Sequence, residues 1–217
     1  MICCIACTIF NLVYIMEVTV PSKEVKIAST QYPVLDIIKK RWSARAFTAQ
    51  NISKQDLHTL FEAASWSPSS MNEQPWVYVY AHRGSELFEQ MWSCLAGGNQ
   101  PWAKNAAVLV LSLCRNQFAA NQQANFHALY DVGAANTVLL LQAITMGIYG
   151  HIMGGFDREK TKSTFAISDN YTIATFIALG YLDEPSILEE PFRTRETTPR
   201  TRKPTADFAF DTVEKLQ

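Results

Sequence analysis

The order of hydrophobic and polar positions along this chain of 217 residues predicts helices that alternate with strands. A first helix is expected to begin at Pro33, because proline is favoured in the first helical turn. Leu35, Ile38 and Trp42 recur at a helical period and would form one apolar face. The pattern therefore predicts a helix that ends near Trp42 and buries this face.

A second helix is predicted after Ser53, where the sequence carries a capping pattern. Ser53 and Asp56 form a Ser-x-x-Asp box, and Ile52 stands where it can pack against Leu57 as a hydrophobic staple. Pro68 disfavours helical backbone in the residue before it and so ends the helix. A loop is expected to follow.

Three apolar segments are predicted as strands. Residues 76–81 alternate large and β-branched side chains, which is typical of a strand. Residues 106–114 (AAVLVLSLC) and 172–180 (TIATFIALG) are continuously apolar, which is typical of strands covered on both faces. The sheet is therefore expected to lie between layers.

A long helix is predicted over residues 124–146, with Gly147 in the position that ends helices in a left-handed conformation. From Val132 onward it is apolar on nearly all sides, so a domain core or a second subunit must cover it. Interspersed strands and helices predict an α+β or α/β fold. No repeat or linker divides the chain, and residues 16–217 are expected to form one domain.

Composition excludes several classes of protein. With 48% hydrophobic and 18% charged residues, the chain is not intrinsically disordered. A formal net charge of −1 gives no general reason to bind nucleic acid or an anionic membrane. Five cysteines, among them Cys94 and Cys114 in apolar surroundings, fit reduced cytoplasmic thiols better than a disulfide framework.

The first fifteen residues, MICCIACTIFNLVYI, are almost entirely apolar. They are shorter than the ~20 residues that span a bilayer, and they lack the basic start and cleavage site of a secretory signal. We interpret residues 1–15 as an extension before a protein start at Met16, with a membrane-dipping tail as the alternative. Cys4 and Cys7 form a C-x-x-C pair, but neither a second ligand pair nor a following βα unit supports a zinc or redox site.

Candidate chemistry begins with the segment Arg41-Trp42-Ser43-Ala44-Arg45. Two guanidinium groups with a hydroxyl between them can converge on a phosphate as the chain leaves a helix. The alternative interpretation is a solvated basic helix end that interacts favourably with the helix dipole.

Residues 67–76 (SPSSMNEQPW) form a second candidate segment. Two prolines bracket several hydrogen-bonding side chains, and such a loop suits a ligand with hydroxyls and acceptors, such as a ribityl chain and a pyrimidine edge. The alternative is a turn-rich connection without function. Trp66 and Trp76 are expected to be core aromatic residues.

Residues 151–157 (HIMGGFD) form the third candidate segment. Paired glycines after a strand let the backbone approach a flat ring, although they also occur in ordinary tight turns. Asp157 can cap a following helix, and His151 is expected to be a structural histidine.

These motifs, followed by R-x-R-K-P near the C-terminus, occur in an order that resembles the nitroreductase family of FMN enzymes. The resemblance extends from Pro33 to the C-terminus. It implies an α+β three-layer sandwich, in which helices flank a central, mostly antiparallel sheet. It also implies a homodimer with an exchanged C-terminal arm and with FMN at the subunit interface.

The resemblance further implies which residues hold FMN. Arg41 would bind the phosphate with Arg200 and Arg202, while Arg45 would lie near the pyrimidine N1/O2 edge. The glycine pair would lie against the isoalloxazine, with a backbone N–H near N5. Residues 97–102 depart from the family pattern, and Asn99 is the candidate there. The expected contacts are Arg41, Ser43, Arg45, Asn99, Met153, Gly154, Gly155, Arg200 and Arg202, with Pro68, Ser69, Ser70 and Asn72 arriving from the partner subunit.

The implied activity is a ping-pong transfer of hydride from NADH or NADPH to a small acceptor such as a nitroaromatic, quinone or enone. The cofactor supplies this chemistry, and no protein acid or base is required. That agrees with a sequence that lacks a convincing Ser/His/Asp set, an H-E-x-x-H zinc motif, a P-loop and G-x-G-x-x-G. FMN is expected rather than FAD, because no adenine-pocket motif is visible.

Other functions remain open at this point. Relatives that cleave flavin or remove halogen usually require a specialised lid, and residues 115–130, the expected channel cover, carry no clear signature of one. A flavin-binding store or sensor without turnover is a second alternative. A peripheral membrane protein acting through residues 1–15 is a third.

Overall fold

The protein is built on a four-stranded antiparallel sheet, seen in a computed structural model that describes residues 21–216. The predicted extension over residues 1–15 and the Cys4/Cys7 pair lie outside the described residues. The strand order is β1-β2-β4-β3, with every neighbouring pair antiparallel. The strands are β1 Trp76–His82, β2 Val108–Arg115, β3 Ile148–Met153 and β4 Tyr171–Tyr181.

Helices lie between and beside these strands. They are α1 Pro21–Val25, α2 Asp36–Lys40, α3 Lys54–Ser65, α4 Glu86–Ser93, α5 Gln100–Ala103, α6 Ala128–Thr145, α7 Arg158–Thr164 and α8 Phe192–Thr197. Short 3-10 turns occur at Ser70–Asn72, Pro185–Ile187, Thr205–Asp207 and Glu214–Leu216.

Alternate residues of β2 contribute to two cores on opposite faces of the sheet, because successive side chains of a strand point to opposite sides. Val108 and Val110 pack in a cluster with buried residues of α3 and α6. Leu109 and Leu111 pack in another with Phe88 of α4 and with residues of α5. The three-layer arrangement expected from the apolar runs is confirmed.

Helix α3 begins as its capping pattern predicts. The Ser53 hydroxyl accepts a hydrogen bond of 3.0 Å from the Asp56 N–H, and Ile52 and Leu57 are buried in the same cluster. Helix α7 begins in the same way, because the Asp157 carboxylate accepts a hydrogen bond from the Lys160 N–H.

Helix α6 starts later than predicted, at Ala128 rather than at residue 124. Ala124 instead pairs with Gln117, and Asn125 turns the chain by accepting a hydrogen bond from the His127 N–H on its side chain. The helix ends before Gly147, whose φ of +70° matches the prediction.

By length and composition α6 could cross a membrane, yet in this structure it packs across the sheet. Its buried face carries polar groups with protein partners. The Asn136 side-chain oxygen accepts hydrogen bonds from the Tyr78 hydroxyl at 3.0 Å and the Ser112 hydroxyl at 3.1 Å. This is the pattern of a core helix, in which buried polar groups are satisfied within the protein.

The prediction for the first helix is wrong in its length and in its buried face. Helix α2 spans only Asp36–Lys40 and buries none of its residues. Leu35 and Ile38 are 68% and 44% exposed. Trp42 is buried, but on extended chain beyond the helix, where it packs edge-on against Tyr149 at 6.0 Å. The chain leaves the helix at Arg41, whose ψ is 125°.

Close packing of Phe47 on Gly180 generates a prediction. A Cβ at Gly180 would lie 2.6 Å from Phe47 Cδ1 and 2.8 Å from its Cγ, so the ring would have to move. We expect Gly180→Ala to lower the free energy of unfolding by about 1–3 kcal/mol, the usual effect of overpacking a core. Urea unfolding measures this change. Gly97→Ala is the control, because nothing lies within 4 Å of its Cβ position. Equal losses in both variants would contradict the prediction.

Candidate functional site

The chain is extended from Arg41 onward, and the side chains from Arg41 to Ala46 alternate between the surface and the core. Trp42, Ala44 and Ala46 are at most 3% exposed. The three polar residues between them are half-buried: Arg41, Ser43 and Arg45. Because an extended chain has a period of two, these polar side chains emerge on one side. The R-x-S-x-R motif therefore has the spacing of a strand, and its alternating apolar residues were the sequence signal for that conformation.

Backbone contacts attach the end of this segment to the sheet. Phe47 pairs with Leu182 just beyond β4, and the Thr48 N–H donates to the Tyr181 carbonyl at 2.9 Å. The arginine segment is thus attached at the end of β4, an inner strand of the sheet, which fixes where the segment ends.

A fully buried carboxylate holds the middle of the segment. Glu196 Oε1 accepts hydrogen bonds from the backbone N–H groups of Arg45 at 2.9 Å and Ala46 at 3.0 Å. Glu196 Oε2 lies 3.9 Å from Arg45 Nη1. Burial raises the pKa of the Glu196 carboxyl, against the lowering effects of these hydrogen bonds and of Arg45. Sequence reasoning missed this residue, although Glu196 is the single acidic residue in the basic stretch 191–203.

The C-terminal arginines join the segment from the other side. Arg200 Nη1 donates to the Arg41 carbonyl at 2.6 Å, while the exposed Arg202 donates to the adjacent Thr201 carbonyl. A concavity of about 200 Å³ brings together five of the predicted residues. They are Arg41, Ser43, Arg45, Arg200 and Arg202.

Three of these cations have no counter-charge from the part of the chain that the structure describes. Arg41, Arg200 and Arg202 form no ion pair with any carboxylate of residues 21–216. The pKa of Arg41 is lowered, mainly by burial and then by the charge of Arg202. The pKa of Arg200 is also lowered, mainly by burial and then by the charges of Arg41 and Arg202. The buried Nε of Arg200 has no hydrogen-bond partner among residues 21–216. A phosphate fits this donor set, because it would neutralise crowded guanidinium groups and accept their hydrogen bonds.

The glycine pair lies at the exposed end of β3. The Gly155 carbonyl accepts hydrogen bonds from Asn99 Nδ2 at 2.9 Å and from the Ala96 N–H at 3.0 Å. Neither Gly154 nor Gly155 donates its own N–H to another group in the described part of the chain. Asn99 is thus brought next to the glycines, where it holds their peptide in place.

Met153 is placed differently from the other predicted contacts. Its side chain is 2% exposed within the core, and its carbonyl accepts a hydrogen bond from the Thr175 hydroxyl at 2.6 Å. The structure therefore leaves the Met153 side chain with no surface to offer a ligand. The sequence signal for this burial was the position of Met153 in β3, because alternate residues of a strand face the core.

His151 lies beneath the arginine segment. Its Nδ1 is 3.1 Å from the Ala44 carbonyl oxygen. The centroid of its ring lies 4.5 Å from that of the Trp102 ring. The Arg45 guanidinium lies over the same Trp102 ring, 5.8 Å from its centroid. Burial, then the charge of Arg45, lowers the pKa of His151 to about 4. The imidazole is therefore neutral at pH 7, with Nδ1–H donating to the carbonyl, in the structural role expected for it.

The loop with the second motif lies elsewhere on the chain. Pro68 and Asn72 line a concavity of about 450 Å³ that shares no residue with the arginine concavity. Ser69 Oγ accepts a hydrogen bond of 3.0 Å from the Gln74 N–H, and the Ser70 N–H donates to Asp131 at 3.1 Å.

Strain and exposure distinguish this loop from an ordinary turn. Met71, Asn72 and Gln74 have φ of 55°, 55° and 53°, a conformation that non-glycine residues adopt at a cost. The expectation that Trp66 belongs to the core is wrong, because it is 82% exposed, whereas Trp76 packs half-buried in β1. Because its concavity shares no residue with the arginine concavity, this loop does not reach the arginine concavity of its own chain.

Residues 115–130, the expected channel cover, carry large apolar groups on the surface. Phe126, Leu129 and Tyr130 are 92%, 53% and 80% exposed. Among residues 21–216 there is no cluster of three or more His, Cys, Asp or Glu that could hold a metal ion. Cys94 and Cys114 are buried free thiols.

Known proteins share this sequence and fold. The family model described as Nitroreductase family matches residues 38–98 and 86–181. An uncharacterized 15.4 kDa protein of Mycolicibacterium smegmatis is 30% identical over 131 residues, covering 58% of this chain and 86% of the relative. A candidate NADH dehydrogenase/NAD(P)H nitroreductase of Archaeoglobus fulgidus is 27% identical over 151 residues, covering 68% and 84%.

Solved structures give the same result. The crystal structure of an oxidoreductase containing FMN matches with a TM-score of 0.80 and 36% identity, over 84% of this chain and 93% of that chain. A candidate nitroreductase of Desulfovibrio desulfuricans, in complex with FMN, matches in fold with a TM-score of 0.67 and 19% identity, over 84% and 98% of the chains. The family model covers most of the sheet and its helices. The chain belongs to the nitroreductase family.

Proposed function

We propose that this protein is an FMN-dependent oxidoreductase that transfers hydride from NADH or NADPH to a small acceptor. One observation carries the proposal: Arg41, Arg200 and Arg202, which have no carboxylate partner among residues 21–216, line one concavity together with Ser43 and Arg45. Family membership and the FMN-containing relative support this reading. We expect the protein to act in the cytoplasm, without nucleic-acid or membrane partners.

The residues of this chain divide into three roles toward FMN. Arg41, Arg200 and Arg202 bind the phosphate, because charge-assisted hydrogen bonds to guanidinium groups are the strongest contacts available there. Arg45 supplies positive charge toward the pyrimidine edge, and Glu196 fixes its backbone while remaining 3.9 Å from its Nη1. When bound, FMN supplies the hydride chemistry that no side chain of this site provides.

The exposed N–H groups of Gly154 and Gly155 are donors on rigid backbone. The hydrogen bonds from Asn99 and Ala96 to the Gly155 carbonyl hold that peptide in one orientation. Preorganised donors stabilise developing charge without reorganising during the reaction. We assign these backbone groups to the reactive edge of the flavin ring.

The second subunit completes the site in this proposal. Trp66, Met71, Phe126 and Tyr130 are between 80% and 92% exposed. Large apolar side chains of this kind are the groups that a protein–protein interface covers. A homodimer would cover these residues and bring the Pro68–Asn72 loop of one chain to the arginine concavity of the other. The separation of the two concavities within one chain supports this arrangement.

The phosphate assignment leads to a test on single arginines. Arg202→Ala and Arg41→Ala should each weaken FMN binding by roughly 10- to 150-fold, because one charge-assisted contact of about 1.5–3 kcal/mol is lost. Fluorescence titration of the flavin measures the dissociation constant. Lys215→Ala is the control, because it removes a positive charge from the same tail outside the arginine concavity. Unchanged affinity in both arginine variants would show that the phosphate binds elsewhere.

The shared site can be tested by complementation. Arg202→Ala and Asn72→Ala should each inactivate the protein, and co-refolding the two should restore part of the activity. Half of the sites in mixed dimers would then contain both native residues. NADPH or NADH oxidation with a quinone measures the recovery, and mass-tagged subunits establish that exchange has occurred. No recovery despite exchange would mean that both residues serve the flavin of the same chain.

The neutral state of His151 predicts how stability depends on pH. Its pKa falls from 6.5 to about 4 on folding, so the unfolded chain binds the extra proton between these values. The free energy of unfolding therefore decreases as the pH falls through this window. In the flavin-free protein, wild type should lose about 2 kcal/mol of unfolding free energy relative to His151→Gln from pH 7 to 4.5. Urea unfolding at both pH values measures it, and a constant difference would refute the prediction.

A further inference from the structure

Glu196 lies outside the part of the chain that matches the family, and a buried lysine holds it in place. The family model matches residues 38–98 and 86–181, so Glu196 belongs to the segment beyond them. Lys26, which is 6% exposed, donates from Nζ to the Arg195 carbonyl at 2.6 Å and also to the Thr198 carbonyl. A cation that binds the last carbonyls of a helix stabilises its C-terminal end. Lys26 therefore holds the end of α8, and Glu196 with it, next to the arginine segment.

The two carboxylate oxygens of Glu196 have different surroundings. Oε1 accepts both backbone hydrogen bonds, from the N–H groups of Arg45 and Ala46. Oε2 is buried, has no hydrogen-bond partner among residues 21–216, and lies 3.9 Å from Arg45 Nη1. That separation is longer than a hydrogen bond, so Oε2 acts on the guanidinium through its charge. One oxygen is thus enough to fix the backbone, and the other places a negative charge beside the Arg45 side chain.

The surroundings of the Arg45 guanidinium preserve this electrostatic effect. The Glu196 side chain is 0% exposed and that of Arg45 is 20% exposed. The guanidinium also packs over the Trp102 ring. Charges in such surroundings are screened less than charges in water.

The compensation is also selective among the cations of the arginine concavity. In the part of the chain that the structure describes, Arg45 is the one arginine of this concavity with a carboxylate within 4 Å. Glu196 therefore offsets the cation assigned to the pyrimidine edge, while the arginines assigned to the phosphate keep their full charge.

We propose that Glu196 is a positioning residue that lowers the reduction potential of bound FMN by partly offsetting the charge of Arg45. The inference rests on the proposed function, because it takes Arg45 as the cation at the pyrimidine edge. Reduction adds negative charge to a flavin, so a fixed positive group nearby favours the reduced form. A carboxylate beside that group opposes this effect. The site therefore holds FMN firmly through its phosphate and keeps the reduced cofactor a strong reductant.

The test measures the reduction potential of the holoprotein against a reference redox dye. Glu196→Gln removes the charge and keeps an oxygen that can accept the two backbone hydrogen bonds. The ratio of reduced to oxidised flavin affinity should rise by about 10-fold, which makes the potential about 30 mV more positive for the two-electron couple. Glu189→Gln is the matched control, because it removes the same charge from an exposed residue just before α8. It should leave the potential unchanged.

Further variants separate the charge of Glu196 from its role in the fold. Arg45→Met should make the potential more negative, and Glu196→Gln added to Arg45→Met should change the affinity ratio by less than twofold, because the carboxylate acts through the guanidinium. Glu196→Asp keeps the charge but withdraws it from the backbone. It should weaken FMN binding yet shift the potential less than Glu196→Gln does.

An unchanged potential in Glu196→Gln, an equal shift with and without Arg45, or a larger shift in Glu196→Asp would overturn the inference and leave the proposed function intact. If Glu196→Gln does not fold, Arg45→Met still decides, because an unchanged potential there would mean that the Arg45 charge does not reach the flavin. Failure of the wild-type protein to bind FMN would overturn the proposed function itself.

Discussion

A carboxylate without solvent contact determines the geometry of the candidate site. Glu196 is fully buried, and its Oε1 accepts the N–H groups of two consecutive residues, Arg45 and Ala46. A buried charge is costly unless it is hydrogen-bonded, so the carboxylate and the extended backbone stabilise each other. The direction in which Arg41, Ser43 and Arg45 emerge depends on that backbone. The site is therefore specified by a residue with no surface for a ligand.

Local signals were sufficient for much of the fold. The capping box at Ser53, the apolar run of β2 and the glycine after α6 each report a conformation set by neighbouring residues, and each prediction is confirmed. The first helix failed because Leu35, Ile38 and Trp42 fit a helical period by spacing alone. Burial of Trp42 against Tyr149 and the bonds to Glu196 select an extended chain there, and such distant partners leave no trace in a local window.

The same distinction applies to the site residues. The R-x-S-x-R motif was readable, and its alternation with buried residues could have identified it as extended. The convergence of Arg41 with Arg200 and Arg202 was expected from the family resemblance alone, because a net charge of −1 conceals cations that lie together only in three dimensions. Met153 shares one motif with its glycine neighbours but faces the core, and its position in a predicted strand was the signal that could have separated it from them.

The bonds that hold the arginine segment join the two ends of the chain. Arg45 and Glu196 are 151 positions apart, Arg41 and Arg200 are 159, and Lys26, which donates to the Arg195 carbonyl, is 169 positions from it. Such distant pairs form slowly, because a long loop must close before they contribute. During synthesis on the ribosome, the arginine motif is translated early but lacks these partners until residues 195–200 emerge. Under the proposed function, capture of the flavin would wait for this segment, because a chain released before it would carry the motif without its binding geometry.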